Sequence, residues 1–75
     1  GLWGIIVRLQ FSKEMYEKEA IIKASYFFTD RYYMELNSDD EYYYVEMSVK
    51  NGDFEENTEK DFMNEVLIQT TRLSI

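Results

Sequence analysis

The sequence predicts an α+β domain of two layers, with the element order β-α-β-β-α. Three antiparallel strands in the order 1-3-2 form one layer, and two helices on one face form the other. Three observations predict it. Three stretches alternate apolar and polar residues with a period of two, as half-buried strands do. Two others repeat apolar residues at helical spacing. Between the second and third strands, Asn37-Ser38-Asp39-Asp40 supplies the turn residues of a hairpin. If the third strand lies between the other two, every neighbour is antiparallel, and the domain equals a ferredoxin-like unit without its final strand. At 75 residues and 45% hydrophobic content the chain holds one core, so residues 1–75 form a single small domain.

The first strand spans Ile5 to Phe11, with Ile5, Val7, Leu9 and Phe11 on one face and Ile6, Arg8 and Gln10 on the other. After the polar break Ser12-Lys13-Glu14, the stretch Tyr16 to Arg31 carries Ala20, Ile21, Ala24, Phe27 and Phe28 at helical offsets. Alternation resumes from Tyr32 to Leu36, placing Tyr32, Met34 and Leu36 inward. The longest strand, Tyr42 to Lys50, turns Tyr43, Val45, Met47 and Val49 to the core and Tyr42, Tyr44, Glu46 and Ser48 away, and Asn51-Gly52-Asp53 closes it. The last helix begins near Thr58, where Thr58-Glu59-Lys60-Asp61 approximates a capping box, and carries Phe62, Met63, Val66, Thr70 and Leu73 on one stripe.

Composition narrows the function. Eight basic against 15 acidic residues give a charge of −7, which repels nucleic-acid phosphates and anionic membranes and suits neutral or basic partners. Cys and His are both absent. Without them the commonest nucleophiles, the usual general base and most transition-metal ligands are gone, so the chain reads as a non-enzyme without a cofactor or metal. The run Asp39-Asp40-Glu41 lacks the alternating ligands and central Gly of a calcium loop and reads as a solvated turn. Lys23 and Glu46 could serve catalysis only with partner groups that the sequence does not supply. No apolar stretch reaches the length of a membrane span, and the expectation is a soluble cytoplasmic protein.

The sheet face that the helices leave open displays Ile6, Tyr33, Tyr42 and Tyr44 beside Arg8 and Glu35. Scattered strand tyrosines are ordinary, but clustering and the run Tyr42-Tyr43-Tyr44 favour a partner surface, since aromatic rings give large contact area for little rotamer entropy. Trp3, ahead of the first strand, is either a lid on the core or a binding anchor. Ile22 and Tyr26 on the first helix, and Leu67, Ile68 and Ile75 on the last, fall off the core stripes. Either the two helices bury each other's flanks or a second copy covers them. The unpaired edge of the first strand is a further place where a partner could attach.

The run Glu19-Ala20-Ile21-Ile22-Lys23-Ala24-Ser25-Tyr26, continuing into Phe28-Thr29-Asp30-Arg31-Tyr32, resembles a segment of the His-Xaa-Ser system protein D family. Phe62-Met63-Asn64-Glu65 is similar to the start of that family's C-terminal motif, and beyond it the likeness fades. The resemblance implies an accessory of a peptide-maturation system, alongside two radical S-adenosylmethionine enzymes and a precursor peptide bearing His-Xaa-Ser repeats. It implies structural roles for Glu19, Ala20, Lys23, Ala24, Thr29, Asp30, Arg31, Asn64 and Glu65, with Asn64 and Glu65 expected to hydrogen-bond near Asp30-Arg31. The competing reading is a generic small oligomerisation or adaptor domain, a homodimer through the edge strand or the open face included.

Overall fold

The computed structural model of the chain describes residues 6–74. Trp3, Ile5 and Ile75, each given a place by the sequence pattern, lie outside them. The elements are β1 (Ile6–Ser12), α1 (Lys18–Tyr26), β2 (Tyr32–Ser38), β3 (Tyr42–Val49) and α2 (Thr58–Leu73). The sheet order is β1-β3-β2, and both pairings are antiparallel, as the sequence predicts.

The strand alternation holds residue by residue. On the covered face Phe11, Tyr32, Val45 and Met47 are buried, and Val7, Leu9, Met34, Leu36, Tyr43 and Val49 are half-buried against them. Ile21, Ala24 and Phe28 from the α1 region and Phe62 and Val66 from α2 complete this core, which puts both helices on one side of the sheet. Phe62 packs edge-on against Phe28 at 5.2 Å and against Phe11 at 6.1 Å, joining the helix layer to β1. Ala20 and Ala24 are both fully buried on α1. Larger side chains there would force the layers apart in an interior that is close-packed.

The first helix is shorter than its sequence pattern. The chain turns at Ser12, whose carbonyl accepts from the amides of Met15 and Tyr16, and Glu17 is extended, so the helix starts only at Lys18. Tyr16 serves the core from outside the helix, its ring edge-on to Phe11 at 5.2 Å. At the other end, Phe27 and Phe28 donate to carbonyls three residues back, tightening the last turn. That tightening aims Phe28 inward and leaves Phe27 56% exposed, against its expected place on the core stripe. Lys50 Nζ then donates to the Thr29 carbonyl at 2.6 Å, satisfying one orphaned acceptor beyond the helix end.

The expected capping box at Thr58 does not form. Asn57 stands before α2 in the left-handed region at φ 67°, with no side-chain cap. Thr58 is buried instead and donates its hydroxyl to the Glu55 carbonyl at 2.6 Å. Its oxygen lies 3.1 Å from the Tyr32 hydroxyl, which accepts from the Glu55 amide at 3.3 Å. With the Thr58 proton committed to Glu55, the Tyr32 hydroxyl has two acceptors within reach, the Thr58 oxygen and, at 3.4 Å, Glu55 Oε1. Tyr32 is 2% exposed and its ring stacks on Phe54 at 5.3 Å, so this phenol has no water to turn to. Gly52, at φ +76°, lets the chain double back from β3 into this loop.

Tyr32→Phe keeps the packing and removes only the hydroxyl. It is expected to cost about 1 kcal/mol, or roughly 4–8 °C in Tm for a domain this small. Tyr32→Ala, which also opens a cavity, is expected to cost about 3–5 kcal/mol. Thermal melts of the two variants measure the difference.

Candidate functional site: the open sheet face

The face opposite the helices is built from the strand residues of opposite parity. Register sets them in rows across the three strands, with Ile6, Ser48 and Tyr33 in one row, Arg8, Glu46 and Glu35 in the next, and Gln10, Tyr44 and Asn37 beyond. The sequence-derived candidates Ile6, Arg8, Tyr33, Tyr42 and Tyr44 therefore lie on one surface. Ile6 and Tyr33 are the most open of them, at 60% and 61% exposure, while Tyr42 and Tyr44 are half-buried. Trp3 lies outside the described residues.

The tyrosines differ in what holds them. Tyr44 donates its hydroxyl to Asp39 Oδ2 at 2.5 Å, and its ring carries the Arg8 guanidinium 4.5 Å from the centroid. The Tyr42 ring leans on it at 6.2 Å. Arg8 also approaches Glu46 at 3.6 Å, an exposed pair that adds little stability and chiefly fixes orientation. Tyr33 has no such anchor beyond Lys50, whose Nζ sits 5.3 Å from the ring centroid. One half of the face is thus pre-organised around Tyr44, and the other, around Tyr33 and Ile6, is bare.

Asp39 is a turn residue of the hairpin, as the sequence predicts, but the sequence pattern does not foresee its link to Tyr44. Its Oδ1 accepts from the amides of Glu41 and Tyr42, both at 2.8 Å, closing the hairpin. The Tyr44 hydroxyl, with those two amides, holds the Asp39 carboxyl below its usual range. The same hydrogen bond to Asp39 holds the Tyr44 phenol above its ordinary value. The available signal was an Asp at the start of a turn, five residues before an outward-facing Tyr.

The motif residues that carry the family resemblance lie in the helix layer and the loops. Ala20 and Ala24 are buried, while Glu19 and Lys23 are exposed one turn apart on α1. Thr29 bonds the Tyr26 carbonyl at 3.1 Å. Arg31 pairs with Glu55 and lies 3.5 Å from Asp30, clamping the start of β2 to the loop before α2. The expected bond from Asn64 and Glu65 to Asp30-Arg31 is not made among the described residues. Glu65 accepts instead from Gln69 at 2.7 Å, and Asn64 is exposed. The loop residue Glu55 is nearer and already fixed by Tyr32, so Arg31 goes there. Tyr26, Leu67 and Ile68 stay exposed beside the packed helices at 70%, 46% and 45%, so mutual burial of the helix flanks does not cover them.

No group of three or more Asp or Glu residues placed to hold a metal ion occurs among the described residues, and no described helix is long and apolar enough to cross a membrane. A family model described as His-Xaa-Ser system protein HxsD matches residues 11–75. That span runs from the end of β1 through α2 and includes both motif segments. No curated protein and no solved structure matches the chain.

Because the folded state depresses the Asp39 carboxyl, its contribution to stability is present above the ordinary carboxylate pKa and is lost as pH falls through the lowered value, below about pH 4. NMR titration of Tyr44→Phe should find the Asp39 carboxyl moved up toward its ordinary value, with a shallower loss of stability in acid. An Asp39 titration identical in both proteins would contradict this.

Proposed function

The chain belongs to the His-Xaa-Ser system protein HxsD family, and we propose that within that system it is a non-catalytic accessory that recognises the precursor peptide through its open sheet face. Membership points to an accessory role. The finer reading rests on one observation, a three-stranded sheet with helices on one side that leaves Ile6 and Tyr33 more than half exposed on the other. Monomeric domains bury such residues or scatter them, and here they stand in one row.

The covalent chemistry belongs in this reading to the radical S-adenosylmethionine enzymes of the system. Their iron-sulfur clusters need thiolates, and this chain has no Cys. A binding subunit needs only shape, aromatic area and charge. The charge of −7 suits a peptide made basic by protonated His or by Lys and Arg, with electrostatics speeding encounter and aromatic contact slowing release. The workplace is the cytoplasm, where the maturases and the unmodified precursor meet.

The alternative, a self-associating adaptor, is favoured by the free edge of β1 and by exposed Tyr26, Leu67 and Ile68 on the helix layer. Sedimentation separates the two. A monomer whose helix layer is untouched by partner binding supports recognition through the open face, and a dimer that Leu67→Ser dissolves supports the adaptor.

Calorimetry of the whole chain with the His-Xaa-Ser precursor and with each radical enzyme tests the assignment. Binding is expected to the precursor, and Tyr33→Ser should weaken it by roughly tenfold or more while changing Tm little. Binding to neither partner sinks the reading, and a large fall in Tm would mark Tyr33 as a core residue.

A further inference from the structure

On the open face lies a depression of about 320 Å³, lined by Ile6, Tyr33, Glu35, Glu46 and Ser48, with Met34 and Met47 between them. Its origin is plain in the register. Ser48 is a small residue on the central strand, flanked in its row by the large side chains of Ile6 and Tyr33, so the row dips in the middle. The neighbouring row closes one end of the dip with Glu46 and Glu35, which stand directly opposite each other on β3 and β2.

We propose that this depression receives one cationic side chain, arginine or lysine, from an extended partner segment, with its aliphatic stem between Ile6 and the Tyr33 ring and its charged head on Glu35 and Glu46. The inference deepens the reading above and rests on it for the identity of the surface.

Three features match that occupant. Opposed like charges destabilise an antiparallel pair unless a cation bridges them, and Glu35 has no ion-pair partner among the described residues. Glu46 has only Arg8, at 3.6 Å on the side away from Glu35. Arg8 itself is held over the Tyr44 ring and makes no ion pair with Glu35 among the described residues. The walls are apolar and aromatic and one end is acidic, which suits a side chain with a hydrocarbon stem and a cationic head. Lys50, the other nearby cation, is tied to the Thr29 carbonyl beside Tyr33 and does not reach the glutamates with an ion pair among the described residues. An acidic or purely apolar segment would meet the two carboxylates unpaired.

The test uses two small probes on the whole chain. One is acetylated, amidated Ala-Arg-Ala, and the other is the same tripeptide with citrulline, which keeps the shape and loses the charge. In NMR titrations the arginine probe should shift the amides of residues 33–35 and 46–48, with Kd on the order of millimolar. The citrulline probe should shift them at least about fivefold more weakly, and added salt should weaken the arginine probe. Glu35→Gln should abolish the shifts while melting at or above the wild-type temperature, because it removes a repulsion. Equal response to both probes, shifts elsewhere on the chain, or full response in Glu35→Gln overturns the proposal. A lower melting temperature for Glu35→Gln would make Glu35 a structural residue and overturn it too. The probes keep the two claims apart. Arginine binding at this site without precursor binding would sink the recognition role alone, and precursor binding untouched by Glu35→Gln would sink the cation site alone.

Discussion

A buried phenol sets the shape of this domain. Tyr32 opens β2 at the point where the chain leaves α1, and its hydroxyl must find partners in a place closed to water. It finds the Glu55 amide and the Thr58 hydroxyl, both in the segment that leads into α2. One side chain therefore ties the end of the first helix, the start of an edge strand and the beginning of the last helix. Arg31 tightens the same junction from outside through Glu55, with its guanidinium over the Phe28 and Tyr32 rings. The family-like segment ending in Thr29-Asp30-Arg31-Tyr32 supplies two of the residues of this junction, Arg31 and Tyr32.

With the helices locked to one side by that junction, the other side of the sheet carries no helix among the described residues. Two helices cover one face of three strands, and no described element covers the second. The small size of the domain thus has a direct consequence for what it can do. The described side of the sheet away from the helices is shaped, partly pre-organised and uneven in charge. The Asp39–Tyr44–Arg8 chain of contacts stiffens one half, and the dip at Ser48 opens the other. Rigid aromatic anchors beside a receptive hollow are what low-entropy recognition of an extended segment calls for.

Much of this was legible in the residues. Strand periodicity assigned Val45 and Met47 inward and Tyr44 and Glu46 outward, because a two-residue period leaves no freedom once one face is buried. The strand order followed from the hairpin and the long third strand. The places where the pattern misled share a cause, which is that a contact distant in sequence outbid a local preference. Thr58 looked like a helix cap and became the partner of Tyr32. Phe27 fitted the helical stripe until Phe28 and Tyr32 claimed the core on either side of a tightened turn. Glu55, in a stretch with no motif, became the hinge of the junction. The hollow at Ser48 needed the register itself, since nothing in the sequence says which side chains flank a given serine across two other strands.

The central claim is that partners meet the sheet and not the helices, and hydrogen exchange with and without the His-Xaa-Ser precursor tests it most directly. Added precursor should slow exchange at residues 33–35 and 46–48 and at the neighbouring strand amides, leaving α1 and α2 at their free rates. Protection confined to the helix layer around Tyr26, Leu67 and Ile68, with the strands unchanged, would contradict it.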